Sequence, residues 1–165
     1  MAAKPVQAIT PFLWFDNKAE EAANFYVSIF KNSRVLSTTR YGDAGPGPSG
    51  TAMTVSFLLD GQQFTALNGG PTFPFTPAIS FVVNCETQAD VDEFWAKLTA
   101  GGNEGQCGWL TDRFGVSWQV VPAGLMELLK EPQLCARESG AVGELLYEPS
   151  YCRQLSCQRI TNDRR

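Results

Sequence analysis

The chain has 165 residues, 44% of them apolar and only 18% charged, with a formal net charge of −4 at pH 7. That length supports a core of ordinary globular size. The composition excludes a disordered chain or a coiled coil, and the acidic balance argues against a nucleic-acid partner, because phosphate binding needs a basic face. Histidine is absent, which removes Ser-His and Cys-His nucleophile pairs, an imidazole base and every His-ligated zinc or iron centre.

In chain order, Ile9 to Phe15 reads as an aromatic-rich strand. Asp16 or Asn17 is expected to cap a helix whose apolar positions, Ala19, Ala22, Ala23, Tyr26, Ile29 and Phe30, recur with the helical period. Val35 to Tyr41 alternates as a second strand, and the Gly- and Pro-rich run Gly42 to Gly50 is a loop. Thr51 to Leu59 alternates with Met53, Val55, Phe57 and Leu59 on one face. Asp60-Gly61 is a hairpin signal, and Gln63 to Asn68 returns as a fourth strand. Residues 69–77, GGPTFPFTP, read as a linker between a first module over 1–68 and a second over 78–121.

The second module starts in the same way. Ala78 to Cys85 is a strand, and Thr87 to Asp90 is a capping-box start. Val91, Phe94, Trp95 and Leu98 carry a helical stripe that Gly101-Gly102 ends. Gln106 to Thr111 and Val116 to Val121 read as strands around the turn Asp112 to Gly115, with a further very short strand near Asn103 to Gly105. Residues 122–132 read as a short amphipathic helix and 133–165 as an atypical tail. The two halves superpose at an offset of 69: Phe12 falls on Phe81, and Phe25-Tyr26 on Phe94-Trp95. The fold class expected is α+β, with paired βαβββ modules forming curved mixed sheets.

No stretch approaches 18 uninterrupted apolar residues and the first residues lack the apolar run of a signal peptide, so no membrane span and a cytoplasmic location are expected. The five cysteines, Cys85, Cys107, Cys135, Cys152 and Cys157, are odd in number and include no C-x-x-C. Their spacing matches neither a zinc site nor a disulfide framework, and buried or idle thiols are expected.

The segments ITPFLWFDNKAEEAANFY, ALNGGPTFPFTPAISF and CGWLTDRFGVSWQVVP resemble the PhnB-like family of the vicinal oxygen chelate superfamily, over roughly residues 8 to 130. Some members carry the label 3-demethylubiquinone-9 3-methyltransferase. The resemblance implies two modules curling into a cup, a homodimer and sometimes exchange of modules between chains. The tail departs from the family pattern and holds three of the five cysteines. Metal-dependent relatives take ligands from the first and last strand of each module. Carried onto this chain, those positions fall at Ile9, Ala78, Gln119 and somewhere in Phe64 to Asn68. Neither a histidine nor a carboxylate stands at any of them, so the metal site is expected to be lost, and no cofactor is expected.

Alternate strand residues would line the cup. The candidates are Trp14 or Phe12, Thr65 or Asn68, Ser80, Cys107, Trp109, Ser117 and Gln119, with Tyr41 a candidate acid or lid residue beside the Gly42 to Gly50 loop. Aromatic walls with a few polar groups suit a small molecule and equally suit a half-buried sheet. Cys107 is the one thiol to weigh as a nucleophile, with Glu104 and Arg113 among the charges near it in sequence. A glycine-rich turn after the first strand, which a doubly wound methyltransferase needs, is missing. Two functions follow: a metal-independent small-molecule binding protein, or an enzyme with a non-standard metal or cysteine site.

Overall fold

The computed structural model describes residues 8–123; the expected helix beyond Pro122 and the tail lie outside that range. The elements run β1 (Phe12–Phe15), α1 (Ala19–Ile29), β2 (Arg34–Arg40), β3 (Ala52–Leu59), β4 (Gln62–Asn68), β5 (Phe81–Cys85), α2 (Gln88–Thr99), β6 (Asn103–Glu104), β7 (Trp109–Thr111) and β8 (Ser117–Pro122). They form two four-stranded sheets of the same topology, β1-β4-β3-β2 and β5-β8-β7-β6. In each, the first strand pairs parallel with the last and the other neighbours are antiparallel. The βαβββ repeat is therefore real, and the α+β mixed-sheet class holds. The chain divides into two compact units between Phe75 and Thr76.

Each helix covers one face of its own sheet. In the first unit, Ala19, Ala22, Ala23, Tyr26 and Ile29 of α1 are buried against the inward residues Val55, Phe57, Leu59, Phe64 and Ala66. Tyr26 stacks on Phe57 at 6.3 Å and Phe57 on Phe64 at 5.6 Å. In the second, Val91 and Leu98 of α2 are buried along with Val83, Cys85, Leu110, Trp118 and Val120. The alternation of buried and half-exposed residues along β3 is the period of two that leaves the opposite face of a sheet open.

Several boundaries differ from the sequence reading, each for a local reason. The fourth strand begins after a turn in which Asp60 and Gly61 both take positive φ, 46° and 80°, the geometry of a type I′ hairpin. β7 is only three residues long, because Cys107 and Gly108 adopt φ of 58° and 77° and the Trp109 amide bonds back to the Gln106 carbonyl at 3.0 Å. The start of α1 is not capped by Asp16 or Asn17. Lys18 occupies the cap position without a side-chain bond, and the Ala19 amide donates to the side-chain oxygen of Asn68 at 2.8 Å. Helix α2 does begin with the capping box at Thr87 and Asp90.

Candidate functional site

Trp14, Tyr41 and Asn68 all bond near the end of β4 but from different sides of the sheet, and the structure commits their polar atoms to the backbone. The Trp14 indole N–H donates to the Gly70 carbonyl at 2.8 Å, and its ring meets Phe73 edge-on at 5.0 Å. The Tyr41 hydroxyl donates to the Asn68 carbonyl at 3.0 Å. Asn68 Oδ1 accepts from Ala19, and its Nδ2 donates to the Ala52 carbonyl at 2.9 Å. Asn68 thus faces α1 rather than the open side of the sheet. Residues 69–75 are strapped to the first unit by these bonds and by a Phe15–Phe75 ring contact at 5.0 Å.

The Gly42 to Gly50 loop is closed on itself. Tyr41 and Thr51 bond across its neck, Gly50 bonds to Tyr41, and Ser49 bonds to Asp43. Tyr41 fills the loop so tightly that a Cβ on Gly47 would meet its ring at 2.6 Å. The tyrosine anchors a wound loop.

In the second unit, Ser80, Trp109 and Gln119 share the open face. Gln119 sits opposite Val82 on one side and Trp109 on the other, away from the Phe81–Trp118 contact on the helix face. Its Nε2 donates to Ser80 Oγ at 2.8 Å, and its strand neighbour across the ladder is Trp109. Ser117, in contrast, is buried. Cys107 is in a disulfide, and a sulfur in that form offers no thiolate for nucleophilic attack. Cys85 is free and buried. Burial, with the nearby Asp90 carboxylate adding, pushes its thiol up from about 9 to about 11, so it stays protonated and unreactive at neutral pH.

Asp112 is the residue whose role the sequence understated. It is buried, and its carboxylate accepts from the Phe114 and Val116 amides at 2.8 and 3.1 Å and from the Trp118 indole at 2.8 Å. Three donors to one carboxylate fix the turn into β8 and hold the strand that carries Gln119. The D-x-x-G spacing was the only signal for it.

The donor set does not fit a divalent ion. Ile9 and Ala78 have no ligating side-chain atom, Gln119 offers one neutral amide oxygen, and β4 carries no acid. Neutral oxygens alone compensate the dehydration of such an ion poorly. Among the described residues, no three His, Cys, Asp or Glu side chains converge, and no helix is long and apolar enough to cross a membrane.

Two mixed βαβββ sheets of identical topology define a vicinal oxygen chelate protein of the glyoxalase and bleomycin-resistance class. The model of the 3-demethylubiquinone-9 3-methyltransferase family matches residues 7–121, and the chain belongs to that PhnB-like family. A PhnB protein from Bacillus cereus is 41% identical over 71% of this chain and 100% of its own, with a TM-score of 0.65. Protein PA1353 from Pseudomonas aeruginosa is 23% identical over 69% and 96%, at 0.56. The fosfomycin resistance protein FosX from Listeria monocytogenes, solved with Mn(II) and sulfate, is 15% identical over 76% and 98%, at 0.51; the last two likenesses concern the fold alone. No curated protein matches the chain.

Proposed function

We propose that this protein binds a small neutral molecule on an open sheet face without a metal ion. The observation that carries the reading is Gln119. It stands where metal-dependent relatives are expected to place a carboxylate, and it is an amide tied to Ser80 beside Trp109. An amide oxygen, a serine hydroxyl and an indole suit a planar uncharged group better than a divalent cation.

The family's name speaks of methyl transfer. Methyltransferases that hold an adenosyl cofactor on a doubly wound fold need a parallel sheet and a glycine-rich first turn. Here both sheets are mixed, and the connection from β1 to α1 is Asp16-Asn17-Lys18. The alternative, an enzyme with a substitute metal set or a cysteine nucleophile, has no observation in its favour: Cys107 is in a disulfide and the Cys85 thiol is held protonated.

Native mass spectrometry of untagged protein, with elemental analysis of the same sample, tests the reading. A metal-free species carrying an organic adduct is the expected result. One tight divalent ion per chain overturns it. The same spectrum reports whether the chain forms the homodimer that belongs to this reading.

A further inference from the structure

The open face of the first sheet has a chemistry of its own. Two rows of side chains cross all four strands in register. One row runs Ser37, Ser56, Thr65, Phe12; the next runs Thr39, Thr54, Leu67, Trp14. Hydroxyls occupy β2 and β3 and extend to Thr65 on β4, whereas apolar and aromatic groups occupy β1 and the neighbouring Leu67. Isolated serines and threonines are common on an open antiparallel face, where they pair across strands, and Thr39 and Thr54 do so at 2.5 Å. Segregation is the informative feature: within these two rows the β2–β3 side is hydroxylic and the β1 edge is aromatic, while the next row carries Arg34, Leu58 and Gln63, the last bonded to Ser56 Oγ at 3.2 Å.

Three further observations narrow what fits. Neither row contains an ionisable side chain; Arg34 stands on the same face one row away, opposite Leu58, and Arg40 is paired with Glu20 at 2.7 Å. A charged group seated within the two rows gives up hydration without a counter-charge inside them. Phe12 is 60% exposed, and the half-buried Trp14 ring is held in place by Gly70 and Phe73, so an exposed ring stands beside one that needs no further ordering. Four strands at the usual spacing span about 14 Å from first to last, the length of two linked six-membered rings.

We propose that this face holds a neutral, two-part ligand of the aryl glycoside class. Its aromatic ring rests on Phe12, Leu67 and Trp14, and its hydroxylated ring lies over Ser56, Thr65 and Thr54. The inference goes beyond the reading above, which rests on the Gln119 face of the second sheet, by adding a second face, on the first sheet, and a ligand class.

The test is calorimetric titration of the full chain with phenyl β-glucoside, and with phenyl phosphate as the charged counterpart. The glucoside is expected to bind at least tenfold more tightly than the phosphate. Thr65→Val, which keeps the shape and removes a hydroxyl, is expected to weaken it about fivefold, and Phe12→Ala by more. Equal or tighter binding of the phosphate, or glucoside affinity unmoved in both variants, overturns the proposal. If the glucoside does not bind while the native protein carries another organic ligand, this inference fails and the small-molecule reading stands. If the protein neither carries nor binds an organic molecule, both fail.

Discussion

Asn68 shows how far a single side chain can act from its place in the chain. It caps α1 from 49 residues away, holds the β3 backbone at Ala52 and receives the Tyr41 hydroxyl on its carbonyl. Asn68→Ala should destabilise the protein by about 2 kcal/mol, a helix cap and a buried hydrogen bond together, read as a shift in the urea midpoint. Asn68→Asp retains the acceptor and should recover part of the loss; a midpoint unchanged in Asn68→Ala would refute the clamp. The sequence suggested a pocket residue because an asparagine at a strand end fits either role, and a partner so distant leaves no local pattern. Cys85 makes a second prediction at this scale. Its folded thiol titrates near 11 rather than 9, so between those values the unfolded chain has released a proton that the folded chain still holds. Stability from this group is complete below about pH 9 and falls as the pH rises toward 11. In Cys85→Ser that component of the alkaline decline should disappear from thermal melts recorded between pH 8 and 11, while alkylation of native Cys85 at pH 8 should be slow until the chain unfolds.

At the scale of elements, the two helices begin by different means although the modules repeat. The residue equivalent to Lys18 is Thr87, which builds a local capping box with Asp90. By face and register, the residue matching Asn68 is Pro122, opposite the last residue of β5, Cys85, as Asn68 is opposite the last residue of β1, Phe15. One module uses a distant cap and the other an adjacent one, and proline at the matching position has no side-chain acceptor to offer. Thr87→Ala should therefore cost about 1 kcal/mol, with the loss of amide protection confined to the first turn of α2; protection lost equally along both helices would contradict it. Gly69 makes a complementary case. A Cβ there would lie 2.2 Å from the Trp14 ring, so Gly69→Ala must displace the indole from Gly70, lowering the melting temperature and changing tryptophan fluorescence. Elements set by local chemistry were legible: the Asp60-Gly61 hairpin, the capping box, even the two-residue strand β6. Ends set by tertiary contact or by a left-handed backbone were not, as at Asn68 and at Cys107-Gly108.

For the whole molecule, duplication explains the fold more completely than it explains the site. The repeat was visible because Phe12 and Phe81, and the aromatic pairs in the helices, keep one offset while most other residues diverge. Which side chains share an open face was only half visible: alternation separates the faces of one strand but leaves open which neighbours stand in register. The pairing puts Gln119 between Val82 and Trp109 and sends Asn68 to the opposite side from Trp14. A divalent ion bound through Gln119 would need carboxylates to offset its dehydration, and β4 supplies none. Millimolar EDTA should therefore leave the melting temperature unchanged, and Mn(II) or Zn(II) at ten times the protein concentration should raise it by less than about 1 °C. By mass action, an ion held with a dissociation constant a hundredfold below its free concentration adds about 2.7 kcal/mol to the folded state. At this chain length that is a rise of several degrees, well outside the error of a melt. A shift of that size, abolished in Gln119→Ala, would place a metal on the open face after all and transfer the argument from neutral recognition to Lewis-acid chemistry.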